Sequence, residues 1–130
     1  MIQFAYTILY VEDVEKSIQF YEQAFGFSRK FIAPGNDYGE LSTGSTTLSF
    51  ASLELAASNQ PDGFTKSSLS NKPFAIEIGF TTADVTATVK QAVKHGATIA
   101  AEPKTKPWGQ VVAYVRDLDG FLIEICTPMA

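Results

Sequence analysis

Two stretches of this chain open and close alike. VEDVEKSIQFYEQAFGF and TADVTATVKQAVKHG both carry an Asp-Val pair as their third and fourth residues, space their apolar residues at helical intervals and have a glycine at or next to the end. A constant offset of 71 residues separates Asp13-Val14 from Asp84-Val85. The same offset lays FAYTILYV on AIEIGFTT, two apolar and β-branched runs of the kind that form strands. A strand and helix that recur at a fixed interval imply a duplicated unit, which excludes most ways of folding a chain of 130 residues.

The local signals give each copy its shape. In the first helix Val14, Ile18, Tyr21 and Phe25 fall on one stripe, Asp13 is placed to accept from the first free amides, and Gly26 stands where a left-handed residue ends a helix. The spacing predicts a helix over about 13–25. In the second, Asp84 is the cap, Val85, Val89 and Val93 are expected inward, and Gly96 closes the helix. Three short apolar runs follow each helix: RKFIAP, YGELST and TTLSFAS in the first copy, ATIAAEP, GQVVAYVRD and GFLIEICT in the second. Turn residues of the kind that join antiparallel strands separate them. Each copy therefore reads βαβββ. The segment SLELAASNQPDGFTKSSLSNK, rich in Ser, Asn, Pro and Gly, has the composition of a connector. The expected organisation is one α+β domain over 1–130, with a first half of about 1–52, a connector over 53–72 and a second half of about 73–130.

Composition narrows the function. A formal charge of −4 provides no basic stripe for a phosphate backbone, so nucleic acid is not an expected partner. No run approaches the roughly 18 uninterrupted apolar residues of a membrane helix, and MIQFAYTILYVED lacks the basic start and cleavage site of a signal peptide. The chain reads as cytoplasmic, with no membrane partner. The single Cys126 has no internal partner for a disulfide.

A duplicated βαβββ of this length, with EDVEKSIQFYEQAFGF in the first half and RDLDGFLIEI in the last strands, resembles the vicinal oxygen chelate superfamily of glyoxalase I, extradiol dioxygenases, fosfomycin-resistance enzymes and bleomycin-resistance proteins. The resemblance implies two modules whose sheets curl into partial barrels with a cleft between them. It also implies a homodimer, and, in metal-using members, ligands on the first and last strand of each half. At those positions this chain carries Tyr6, Ser49, Glu77 and Glu124. By the resemblance, Glu77 and Glu124 point into the cleft. Alternation along the last strand puts Leu122, Glu124 and Cys126 in one row and Phe121, Ile123 and Ile125 in the other, with the more apolar row toward the helices.

Tyr6 and Ser49 are not usual ligands of a catalytic divalent ion, and the only histidine, His95, closes the second helix. No transition metal is expected; a weakly bound divalent ion would have Glu77 and Glu124 alone. Phe4, Tyr6, Ile8 and Tyr10 form an aromatic row facing the small row Ala75, Glu77 and Gly79 across the duplication. Such a cup suits a planar or partly cationic small molecule held by stacking and carboxylates. Trp108, in a Pro-Trp-Gly loop, is placed either to stack on a ligand or to cover the end of the barrel. The expected function is metal-free binding of a small organic molecule by Tyr6, Ser49, Glu77, Trp108 and Glu124. The alternative is a lyase or isomerase of the glyoxalase type in which Glu77 and Glu124, with or without a divalent metal, act as a pair, one protonated as the acid and the other taking the substrate proton.

Overall fold

The Asp13 carboxylate does what its position foretells. It accepts from the Lys16 amide at 3.1 Å and from the Asn36 side chain at 3.1 Å, and these bonds hold it below the usual carboxylate range. Asn36 returns its own side-chain oxygen to the Glu15 amide at 2.9 Å. Its φ of 59° lies in the left-handed region that asparagine tolerates, so one turn residue caps a helix from across the sequence.

The computed structural model describes residues 1–129. Its elements are β1 (Tyr6–Val11), α1 (Val14–Phe25), β2 (Ser28–Ile32), β3 (Tyr38–Ser42), β4 (Thr47–Ser52), α2 (Leu53–Asn59), β5 (Ile78–Thr81), α3 (Val85–Lys94), β6 (Thr98–Thr105), β7 (Val111–Arg116) and β8 (Leu122–Cys126). They divide into two compact units, one ending at Lys66 and the other beginning at Ser67. Each unit is a βαβββ module of an α+β fold, as the duplication predicts. The strand orders are β1-β4-β3-β2 and β5-β8-β7-β6, with the first strand parallel to the last and the other pairs antiparallel.

In the first half, α1 covers the sheet face carrying Leu9, Val11, Leu41, Leu48 and Phe50, all buried, and the Tyr21 and Phe50 rings meet at 5.2 Å. Gly39 on β3 makes that approach possible: a Cβ there would stand 2.5 Å from Ile18 Cδ1 and 3.1 Å from the Phe31 carbonyl. In the second half, Ile123, Ile125, Ala113 and Val115 line the face toward α3, so the rows expected for the last strand hold. The DLDG turn before β8 is built on Asp117. Its buried carboxylate accepts from the amides of Asp119 at 3.0 Å and Phe121 at 2.9 Å, and Gly120 takes a φ of +90°. Arg116 ties this turn to the incoming chain through the Gly120 and Ser68 carbonyls, both at 3.0 Å.

Three expectations change. The connector is not wholly irregular, because its first residues form α2, capped by the Ser52 hydroxyl accepting from the Leu55 amide at 3.1 Å. The strand expected from AIEIGFTT is shorter, and β5 leaves Ala75, Ile76 and Glu77 ahead of its first residue. Val93 does not point inward: it is 41 % exposed, and Ala92 takes the buried position beside Val85 and Val89.

Candidate functional site

Strand register assembles the strongest constellation. On the face of the second sheet away from α3, Gly79 of β5, Glu124 of β8 and Tyr114 of β7 stand in one cross-strand row. The Tyr114 hydroxyl lies 3.2 Å from Glu124 Oε2 and 3.4 Å from Glu77 Oε1. A phenol has one proton, so it serves one carboxylate at a time and leaves the other free to accept. Burial first, then the charges of Glu124 and Glu77, push the Tyr114 pKa up to about 12, and the hydroxyl stays neutral through the physiological range. Neither carboxylate has an ion-pair partner among the described residues.

Glycine at position 79 keeps the space beside the acid open, since a Cβ there would sit 3.5 Å from Glu124 Oε1. Below the row, the buried Cys126 thiol faces Glu124 Oε1 at 3.7 Å and the Phe80 carbonyl at 3.8 Å. Burial, followed by the charge of Glu124, pushes that thiol up, which disfavours it as a nucleophile near neutrality.

The first half carries the equivalent row with different chemistry. Ile8, Ser49, Glu40 and Phe31 pair across β1, β4, β3 and β2. Here the acid is Glu40, one strand away from the position of Glu124. It accepts from the Tyr38 hydroxyl at 2.7 Å and faces Lys30 Nζ at 3.6 Å, so its charge is met locally. Burial raises the Tyr38 pKa, the nearby Ser49 hydroxyl opposes the rise, and Glu40 adds to it. Ser49 itself is fully buried, and its oxygen makes no hydrogen bond of good geometry, the Tyr38 hydroxyl being near it without meeting it squarely. Tyr6 and Ile8 stand exposed on this face, with Phe4 exposed just ahead of β1.

Of the residues singled out from sequence, Glu77 and Glu124 come together around one phenol. Trp108, 64 % exposed, donates its Nε1–H to Gln110 Oε1 at 2.9 Å and lines a separate concavity of about 370 Å³ with Gln110, Thr127 and Met129. His95 caps the end of α3 and bonds to Gln91 at 3.0 Å. Sequence reasoning missed Tyr114 and Glu40. A signal for Tyr114 existed, because pairing the strands outward from the closed DLDG turn sets it opposite Glu124.

The chelated ion that the resemblance implies is poorly served by this donor set. The row around Glu124 provides two carboxylates, a phenol and a buried thiol, and no imidazole among the described residues. Zinc, nickel and iron sites favour imidazole, thiolate and carboxylate ligands, three or more of them converging on one point. Among the described residues no three His, Cys, Asp or Glu side chains converge on a point. The donors present do not fit a transition ion.

Solved structures share the fold. A glyoxalase-related enzyme from Fulvimarina pelagi is 20 % identical, with a TM-score of 0.84 over 98 % of this chain and 89 % of that one. The hypothetical protein SA1046 from S. aureus is 24 % identical, with a TM-score of 0.81 over 98 % and 95 %. A glyoxalase/bleomycin resistance protein/dioxygenase family enzyme from Burkholderia phytofirmans PsJN is 22 % identical, with a TM-score of 0.81 over 98 % and 100 %. No curated protein matches the sequence. The family profile for the glyoxalase/bleomycin resistance protein/dioxygenase superfamily matches residues 3–125, so with its duplicated βαβββ modules the chain belongs to that superfamily.

Proposed function

We propose that this protein binds a small organic molecule carrying a cationic group at Glu77, Tyr114 and Glu124, without a transition metal. One observation carries the reading: two carboxylates meet a single phenol hydroxyl and neither has an ion-pair partner among the described residues. An ammonium or amidinium group would supply the missing charge and donors, and the Tyr114 ring and the open space at Gly79 would accept its planar body. A lyase or isomerase is the second reading, favoured by the same juxtaposition, which puts a carboxylate able to take a proton beside a neutral phenol able to give one.

Benzamidine and its neutral relative benzamide test the proposal by thermal unfolding, because a ligand selective for the folded state raises stability by mass action. Benzamidine is expected to give a saturable rise that chelator leaves intact and that Glu77→Gln/Glu124→Gln abolishes. An equal rise with benzamide, or one retained by the double variant, would overturn it. Release of an altered product from a bound candidate substrate would decide for the second reading.

A further inference from the structure

The opposite face of the second half holds a feature that the open-face site does not explain. Between α3 and β6 lies a concavity of about 440 Å³, within the size range of small-ligand sites. Val93 of α3 and Ile99 of β6, 41 % and 39 % exposed, supply its apolar wall together with Pro103. Lys90 and Lys94 rise from α3 on one side and Glu102 from β6 on the other.

The two lysines are four residues apart, so they share a helix face and repel one another. Neither they nor Glu102 joins an ion pair among the described residues. The negative end of the helix accounts for a cation in the last turn; it does not account for two cations beside an apolar groove on a chain of net charge −4. An anion between Lys90 and Lys94 would turn their repulsion into a bridge. β6 is an edge strand, but Pro103 removes an amide and the ladder is irregular between Ala101 and Lys104, which disfavours an added β-strand as the occupant. Glu102, across the groove, repels a second negative charge.

We infer that this groove binds a monoanionic amphiphile, an apolar chain ending in one carboxylate, with the carboxylate between Lys90 and Lys94 and the chain along Val93, Ile99 and Pro103. This site is independent of the one around Tyr114.

Decanoate and its dicarboxylate counterpart sebacate, both below micelle-forming concentration, are the probes, and amide chemical shifts of the full chain are the readout. Decanoate is expected to shift signals of α3 and β6 saturably. Lys90→Gln/Lys94→Gln should weaken it roughly tenfold or more, as expected for losing charge-assisted bonds. Sebacate should bind more weakly than decanoate, and Glu102→Gln should narrow that gap. These side chains are exposed, so an unchanged amide spectrum outside the groove verifies that the variants fold. The inference falls if decanoate produces no saturable shift, if the shifts centre on Tyr114 and Glu124, or if the lysine variant binds decanoate as well as the parent chain.

Discussion

Replacing Ser49 by alanine should stabilise this protein, the reverse of what truncating a buried residue usually does. The Ser49 oxygen is buried and makes no hydrogen bond. Folding strips it of water without compensation, at a cost of about 1–3 kcal/mol. Against this, alanine forfeits the dispersion contacts of one atom, about 0.1–0.2 kcal/mol for each neighbour, and a few tenths in strand preference. The balance is a gain of about 1 kcal/mol. For a chain of 130 residues this corresponds to a rise in melting temperature of roughly 3–5 °C. Urea unfolding of both proteins should show the midpoint move up with an unchanged slope, which keeps the effect one of stability rather than of compactness. A variant less stable than its parent by about 1 kcal/mol would refute the reasoning. It would mean that the hydroxyl has a partner in solution, such as Tyr38 or an enclosed water.

Tyr114 should titrate with a midpoint near 12, read as the phenolate absorbance lost in Tyr114→Phe. Its raised pKa makes a contribution to stability that is complete below pH 10 and is lost as the pH rises from 10 through 12, so the folded protein should weaken over that interval. Glu77→Gln/Glu124→Gln should move the midpoint down without bringing it to 10, because burial, the first cause, remains; a parent midpoint near 10 would contradict the site geometry. Gly39→Ala should destabilise by about 1–3 kcal/mol in the same unfolding assay, since the Phe31 carbonyl at 3.1 Å yields less readily than the tip of Ile18. A neutral result would show that α1 and β3 have more room than the structure gives them.

Much of the fold was legible because each signal is local. Asp13 and Asp84 bind amides three residues on, and strand alternation set Ile123 and Ile125 toward α3 before any partner was known. Val93 was misread because a four-residue step overshoots a 3.6-residue turn by about 40°, and two steps carry it off the buried face where Ala92 then sits. The start of α2 was hidden by its surroundings. Leu-Glu-Leu-Ala-Ala behind a serine cap is a helix signal, but the polar, Gly- and Pro-containing residues after it dominate the segment's composition. At the site, Glu124 showed itself as a charge in an apolar strand, whereas Tyr114 and Glu40 acquire meaning only from the strand beside them. Register is a long-range property, and single-strand patterns do not carry it.

The two halves use one scaffold and arrive at opposite electrostatics. In the first, the acid of the central row has moved to β3, where Lys30 and Tyr38 satisfy it, and the β4 position it left holds a hydroxyl with no partner. In the second, the acid stays on β8, glycine keeps the space beside it open, and a second carboxylate approaches the same phenol with no ion-pair partner among the described residues. A neutralised row adds no charge to attract a ligand; an unneutralised one leaves charge that a cation can meet. That asymmetry, rather than the shared fold, supports the proposal that ligand recognition belongs to the second half, because like folds with unlike charge do not bind alike.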